Sequence, residues 1–249
     1  MYEFHFAISS PVPPNRNWGS VFHGILIERL PAPWPERLHG GGVRIYSQWV
    51  EPVNEHRLIW HIHTLEDTLG EAILRCLAGV TVLTDRHHHI NLQIISRQVR
   101  QVGIGELFDE VFYAPDVPKG LLLQIRTPAA HKNGDRYVIL PSVEQIGRGL
   151  CKRVSEIYPD FALNDFDAQD QVLGTVSLSR YRLNSCTYGV EGSYIMGYEG
   201  SLELHFHGSE EERQFADVLF RFAPWCGIGV KTALGMGGCL VSPLGGKGK

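Results

Sequence analysis

From Tyr2 to Ser9 the chain alternates apolar and polar residues, the period of a half-buried strand, and Pro11, Pro13 and Pro14 end it. Val21, Phe22, Ile25, Leu26 and Leu30 then fall at helical spacing within Gly19 to Leu30. A proline-broken segment (Pro31, Pro33, Pro35) leads to Leu38-His39 and the triplet Gly40-Gly41-Gly42. Val43 to Trp49 and Arg57 to Thr64 read as strands, and Glu66 to Leu77 as a helix. Val80 to Ile95 reads as extended chain interrupted by the polar stretch Asp85 to His89.

The second half repeats this order. Gly120 to Arg126 is a strand, and Val138 to Leu140 precedes a helical pattern from Pro141 to Ile157. Long strand patterns follow at Leu173 to Arg182 and Ser193 to His207. In the next helix, Glu210 to Phe222, the residues Phe215, Val218, Leu219 and Phe222 share one face. A glycine-rich segment enters a last strand near Gly237 to Val241. The pattern predicts an α+β fold of two tandem ferredoxin-like β-α-β-β-α-β domains with antiparallel sheets, joined around Tyr113 to Lys119. The first domain spans 1–115, the second 116–244, and 245–249 is a mobile tail.

Composition narrows the function classes. The net charge of −4 over 249 residues offers no global field for nucleic acid, so an RNA site has to be a local basic or backbone-donor surface. Five scattered cysteines without a Cys-x-x-Cys indicate reduced thiols in a cytoplasmic protein, neither a zinc knuckle nor a dithiol redox site. The start MYEFHFAISSPVPP lacks the basic and apolar regions of a signal peptide, and no apolar run reaches the roughly 18 residues of a membrane span. No membrane association is expected.

The most specific segment is Trp225 to Gly238, whose glycine-rich loop lets backbone N–H groups approach a phosphate. It fits neither common nucleotide pattern: Val230 precedes Lys231 where a Walker loop has glycine, and Thr232 sits at the third glycine of a dinucleotide loop. A glycine-rich bulge at a sheet corner is the plain structural alternative.

Gly227-Ile-Gly-Val-Lys-Thr-Ala-Leu-Gly-Met-Gly237 resembles the C-terminal loop of the CRISPR repeat-RNA endoribonucleases of the repeat-associated mysterious protein superfamily. Met196-Gly-Tyr-Glu-Gly-Ser-Leu-Glu-Leu, Arg126-Thr-Pro…Asn133-Gly-Asp…Leu140-Pro and Leu38-His-Gly-Gly-Gly-Val-Arg-Ile-Tyr-Ser-Gln resemble other segments of that family in the same order. Ala129-Ala130 and Trp49-Val50 depart from its pattern. The resemblance implies two ferredoxin-like domains and cleavage of repeat RNA, with the repeat RNA, precursor and product, as partner and no cofactor. Other CRISPR effector subunits are further candidate partners, and a dimer is an allowed assembly.

Metal-independent RNA cleavage needs the 2′-hydroxyl deprotonated, the 5′-oxygen protonated and the phosphorane charge stabilised. Histidine serves either proton transfer near neutral pH. His39 matches the position where many family members keep a catalytic histidine, His23 lies where some place a second group, and Arg44 is the candidate for charge stabilisation. For RNA binding the candidates are Gly227, Gly229, Lys231, Thr232, Gly235 and Gly237 of the loop. Arg180 and Arg182 join them, two apart on one strand face as a phosphate track requires. Tyr181 between them is read as core. His61 and His63, like His205 and His207, share strand faces, but no Asp or Glu completes a ligand pattern beside them in sequence, so no metal is expected. Three alternatives stand: a non-catalytic RNA-binding subunit of the same superfamily, a two-histidine phosphoesterase for which only His207-Gly-Ser209 fits, and a glycine-loop small-molecule binder.

Overall fold

The computed structural model describes residues 1–39, 45–86, 89–116, 118–160 and 165–244. Arg44 and Gly40 to Gly42 lie outside these residues, as do His87 and His88. Among the described residues no helix is long and apolar enough to cross a membrane.

Strand β1 (Tyr2–Ser9) turns Tyr2, Phe4, Phe6 and Ile8 into a core and Glu3, His5, Ala7 and Ser9 to the other face. Helix α1 (Gly19–Ile27) follows a 3₁₀ turn capped by Asn15 and covers that core with Phe22, Ile25 and Leu26. The proline-broken segment forms a short helix, α2 (Trp34–His39), so His39 closes a helix where a loop was expected. Pro33 and Pro35 are compatible with this because a helix needs no N–H donors in its first turn.

β2 (Tyr46–Asn54) and β3 (Arg57–Thr64) form a hairpin, followed by α3 (Asp67–Leu77). A second hairpin, β4 (Val82–Asp85) and β5 (Ile90–Gln101), turns at the expected polar interruption. The sheet order β2-β3-β1-β5-β4 is antiparallel throughout. It is the ferredoxin-like order with β4 added as an edge.

Helix α4 (Ile104–Phe112) was not expected. Its Leu107 and Val111, one turn apart, pack into the core of the second half, and the Phe112 ring meets Phe215 edge-on at 5.4 Å. β6 (Gly120–Ala129) leads to a small hairpin, β7 (His131–Asn133) with β8 (Arg136–Val138), and then α5 (Val143–Ile157), capped by Ser142. Helix α6 (Phe166–Gly174) takes Leu173 from the expected strand. Asp165 caps its start, and the strand proper, β9 (Val176–Val190), begins after Gly174 and Thr175.

β10 (Ser193–Phe206) returns antiparallel, α7 (Glu210–Arg221) crosses the sheet, and α8 (Ala223–Cys226) leads to the glycine loop and β11 (Cys239–Pro243). The order β11-β6-β10-β9 is again ferredoxin-like and antiparallel.

Two further expectations change. Tyr181 is 67% exposed: β9 is an edge strand and is exposed on both faces from Leu178 to Arg182. Ser209 of the His207-Gly-Ser209 pattern forms a reciprocal capping box with Glu212, donating its backbone N–H to Oε2 at 2.8 Å, so that motif is a helix start. The five cysteines are all unpaired thiols.

Candidate active site

His23 is buried on α1 and His39 is exposed at the end of α2, with ring centroids 5.7 Å apart in an edge-to-face arrangement. Tyr46, first residue of β2, joins them: its hydroxyl hydrogen-bonds His23 Nδ1 and its ring stacks on His23 at 6.0 Å. Tyr46 is not singled out along the chain, because the contact depends on how β2 sits beneath α1.

The same hydroxyl lies 3.5 Å from the carbonyl of Ala233, in the 3₁₀ turn Thr232–Leu234 of the glycine loop. Gln48, fully buried and on the same face of β2, donates from Nε2 to Ala233 O at 2.8 Å and to Gly19 O at 2.6 Å. Its Oε1 accepts from Trp60 Nε1 at 2.8 Å. Both amide hydrogens and the amide oxygen are thus used. Gln48 ties the start of α1 and the glycine loop to the first sheet, and so fixes the loop beside His23.

The glycine loop is closely packed. Gly227, Gly235, Gly237 and Thr232 are buried, Gly229 is half-buried, and Lys231 is exposed. Its backbone extends the pairing of β6: Gly237 N–H donates to Pro128 O at 3.0 Å and Val230 N–H to Ala130 O at 2.9 Å. Arg153, on α5, donates to Gly227 O at 2.8 Å and Gly229 O at 2.5 Å. A Cβ on Gly19 would stand 2.2 Å from Leu234 O, so only glycine lets α1 meet the loop so closely.

Lys231 holds a left-handed backbone (φ 55°) and pairs through Nζ with Glu191 Oε2 at 3.1 Å, at the tip of the β9–β10 hairpin. Beside that tip, Asn15, Asn17, Trp18, Ser20, Gly189 and the 82%-exposed Tyr194 line a groove of about 700 Å³. Arg180 and Arg182 are both exposed on β9, with Arg180 3.7 Å from Glu203. Eight residues of extended strand, Leu183 to Val190, lie between Arg182 and Glu191, a span of roughly 30 Å. The structure therefore gathers His23, His39 and the glycine loop at one end and leaves the two arginines well along the sheet edge.

On the other face of the first sheet, cross-strand register places Glu3 opposite His63 and His5 opposite His61. This corrects the reading that no carboxylate stands beside the histidine pair: Glu3 Oε1 is 3.5 Å from His63 Nε2, and Glu51 Oε2 is 3.0 Å from His61 Nε2. Burial pushes the His61 imidazole down to about 4, against the pull of Glu51. The His61 hydrogen bond, helped by Arg126, holds Glu51 at about 2.

A family profile described as "CRISPR-associated endoribonuclease Cas6" matches residues 123–239. A CRISPR-associated endoribonuclease Cas6 of Mycobacterium tuberculosis is 28% identical over 232 residues, 91% of this chain and 72% of that protein. One from Streptococcus thermophilus is 24% identical over 229 residues, 90% and 91% of the two chains. This chain is similar in sequence to the Cas6 endoribonucleases along most of its length.

The fold agrees with this resemblance. A Cas6 solved as a product complex superposes with a TM-score of 0.81, at 18% identity, over 97% of this chain and all of that one. The Cas6 of Thermus thermophilus gives 0.69 at 19% identity, over 97% and 98%. A Cas6-related protein from Pyrococcus furiosus gives 0.60 at 13%, over 96% and 98%. As in these Cas6 neighbours, the two ferredoxin-like halves follow each other in tandem, the architecture expected from the order of elements.

Proposed function

We propose that this protein, like the Cas6 enzymes it resembles, is an endoribonuclease that binds CRISPR repeat RNA and cuts it by internal attack of a 2′-hydroxyl. The observation that carries the reading is the meeting of His23 and His39, one buried and anchored by Tyr46, the other exposed, with centroids 5.7 Å apart. In the reaction one imidazole takes the 2′-hydroxyl proton as the 2′-oxygen bonds to phosphorus, and the other protonates the departing 5′-oxygen. The products carry a 2′,3′-cyclic phosphate and a 5′-hydroxyl. Arg44, two residues before β2, supplies charge to the phosphorane in this reading.

RNA enters beside the glycine loop. Lys231 offers a cation to phosphate, and the groove at Trp18 and Tyr194 offers ring faces on which unpaired bases stack. The buried glycines hold the loop in place and Lys231 reaches outward. Arg180 and Arg182 extend the phosphate track along β9.

The test uses the repeat RNA encoded beside the gene. A 2′-deoxy nucleotide just upstream of the cut should block cleavage, and excess chelator should leave the rate intact. Cutting of the deoxy substrate, or cutting that stops with chelator and returns with magnesium, rejects the mechanism. Tight binding with no cutting of either substrate points instead to a non-catalytic RNA-binding subunit.

A further inference from the structure

We propose that Glu3, His5 and His63 form a binding site for a divalent first-row transition ion, zinc foremost, on the face of the first sheet turned away from His23. The donor atoms are His5 Nε2, His63 Nε2 and Glu3 Oε1, all within 4.8 Å of one another. Glu3 Oε1 lies 3.1 Å from His5 Nε2 and 3.5 Å from His63 Nε2. Ligands around a tetrahedral zinc stand about 3.3 Å apart when the bonds are about 2.0–2.1 Å, so the spacing suits one shared ion.

The alignment of these atoms supports an ion over a hydrogen-bonded cluster. Despite their closeness to Glu3, neither His5 Nε2 nor His63 Nε2 makes a hydrogen bond, and His63 Nδ1 has no partner either. His63 is only 1% exposed. A buried polar atom left unsatisfied costs about 1–3 kcal/mol, and a coordinated ion would satisfy both Nε2 atoms at once. Two imidazoles and one carboxylate are also the donor set that borderline divalent ions prefer.

Strand register builds the site. Glu3 and His5 are two apart on β1, and His63 sits directly across from Glu3 on β3, so all three share one face. A cavity of about 240 Å³ opens beside Glu3 and His63 towards Trp225, leaving room for a water as fourth ligand. Arg100, opposite Glu3 on β5 and exposed, is a charge that works against a cation there. His23 and Tyr46 belong to the opposite face, under α1, so the bound ion braces β1 to β3 and takes no part in cutting.

The test starts from the full chain freed of metal with chelator. Calorimetric titration with Zn²⁺ should give one equivalent, and Co²⁺ should develop the intense visible absorption of a four-coordinate site. Glu3→Gln and His5→Ala should each weaken binding by more than the roughly 10–100-fold that outer-shell partners command, whereas His205→Ala should not. His5 is partly exposed, so its variant is the safer one should the His63→Ala protein fail to fold. RNA cleavage by the same samples should not change with zinc. The absence of a stoichiometric site, or full affinity retained in both Glu3→Gln and His5→Ala, overturns the assignment. Cleavage that rises in step with zinc occupancy overturns the bracing role.

Discussion

His23 and His39 are sixteen residues apart in sequence and meet ring edge to ring face because α2 folds back beside α1. Their environments differ: His23 is buried with its Nδ1 tied to the Tyr46 hydroxyl, while His39 is open to solvent. In His39→Ala the single-turnover cleavage rate should fall by about 10²–10⁴, the usual worth of one proton-transfer group, with RNA affinity kept. Rate and affinity are read separately by quenched-flow cleavage and filter binding. An unchanged rate would move the role to His23.

If RNA follows the proposed path, the ion pair between Lys231 and Glu191 makes the carboxylate a competitor for the cation offered to phosphate. Lys231→Ala should weaken binding and lower the slope of log K against log salt by about 0.7–0.9, one phosphate contact. Glu191→Gln should act in the opposite direction and tighten binding at low salt. Equal slopes in all three proteins would take Lys231 off the RNA path.

Gly237 has φ 66°, and a Cβ there would stand 1.9 Å from Ile228 O, a backbone atom that cannot swing away. Gly237→Ala should cost about 2–4 kcal/mol of folding stability, combining backbone strain with overpacking. Urea denaturation measures it. A loss under about 0.5 kcal/mol would show that the loop relaxes freely.

Burial, reinforced by the positive charge of Arg153, pushes the His131 imidazole down to about 4, while its Nε2 stays 2.9 Å from the Tyr198 hydroxyl. The folded protein therefore keeps His131 neutral at pH values where the unfolded chain, titrating near the ordinary value of about 6.5, takes up a proton. Stability from this group is complete above about pH 6.5. It falls by about 1.4 kcal/mol per pH unit down to about pH 4, then levels. His131→Gln should flatten the stability profile in that window by one such slope, and a profile parallel to wild type would refute the buried neutral imidazole.

Much of the fold is legible along the chain because single strands and helices write their faces locally. The alternation of β1 and the one-sided Val218, Leu219 and Phe222 of α7 are visible without any partner. Leu173 is misread because an apolar pair ahead of a β-branched run looks the same at the end of a helix as at the start of a strand. Helix α4 sits just before the expected join at Tyr113 to Lys119, in a stretch read without any element, although Leu107 and Val111 carry helical spacing. In the site, His23 and His39 are reached through resemblance. Tyr46, Gln48 and Arg153 are not, since each acts by touching a segment that lies more than 70 residues away in the loop. The pairing of Glu3 with His63 likewise exists only once strand register is set.

The Ala233 carbonyl that receives Gln48 lies 185 residues after it, so α1, α2 and β2 emerge from the ribosome long before the turn they meet. During translation the two histidines thus exist without the turn that braces them. An unfinished chain ending before residue 231 has both imidazoles, but Gln48 keeps only its Gly19 acceptor and lacks the one in the loop. Bracing of the histidine pair against the glycine loop in this way waits until the second half of the chain has been made.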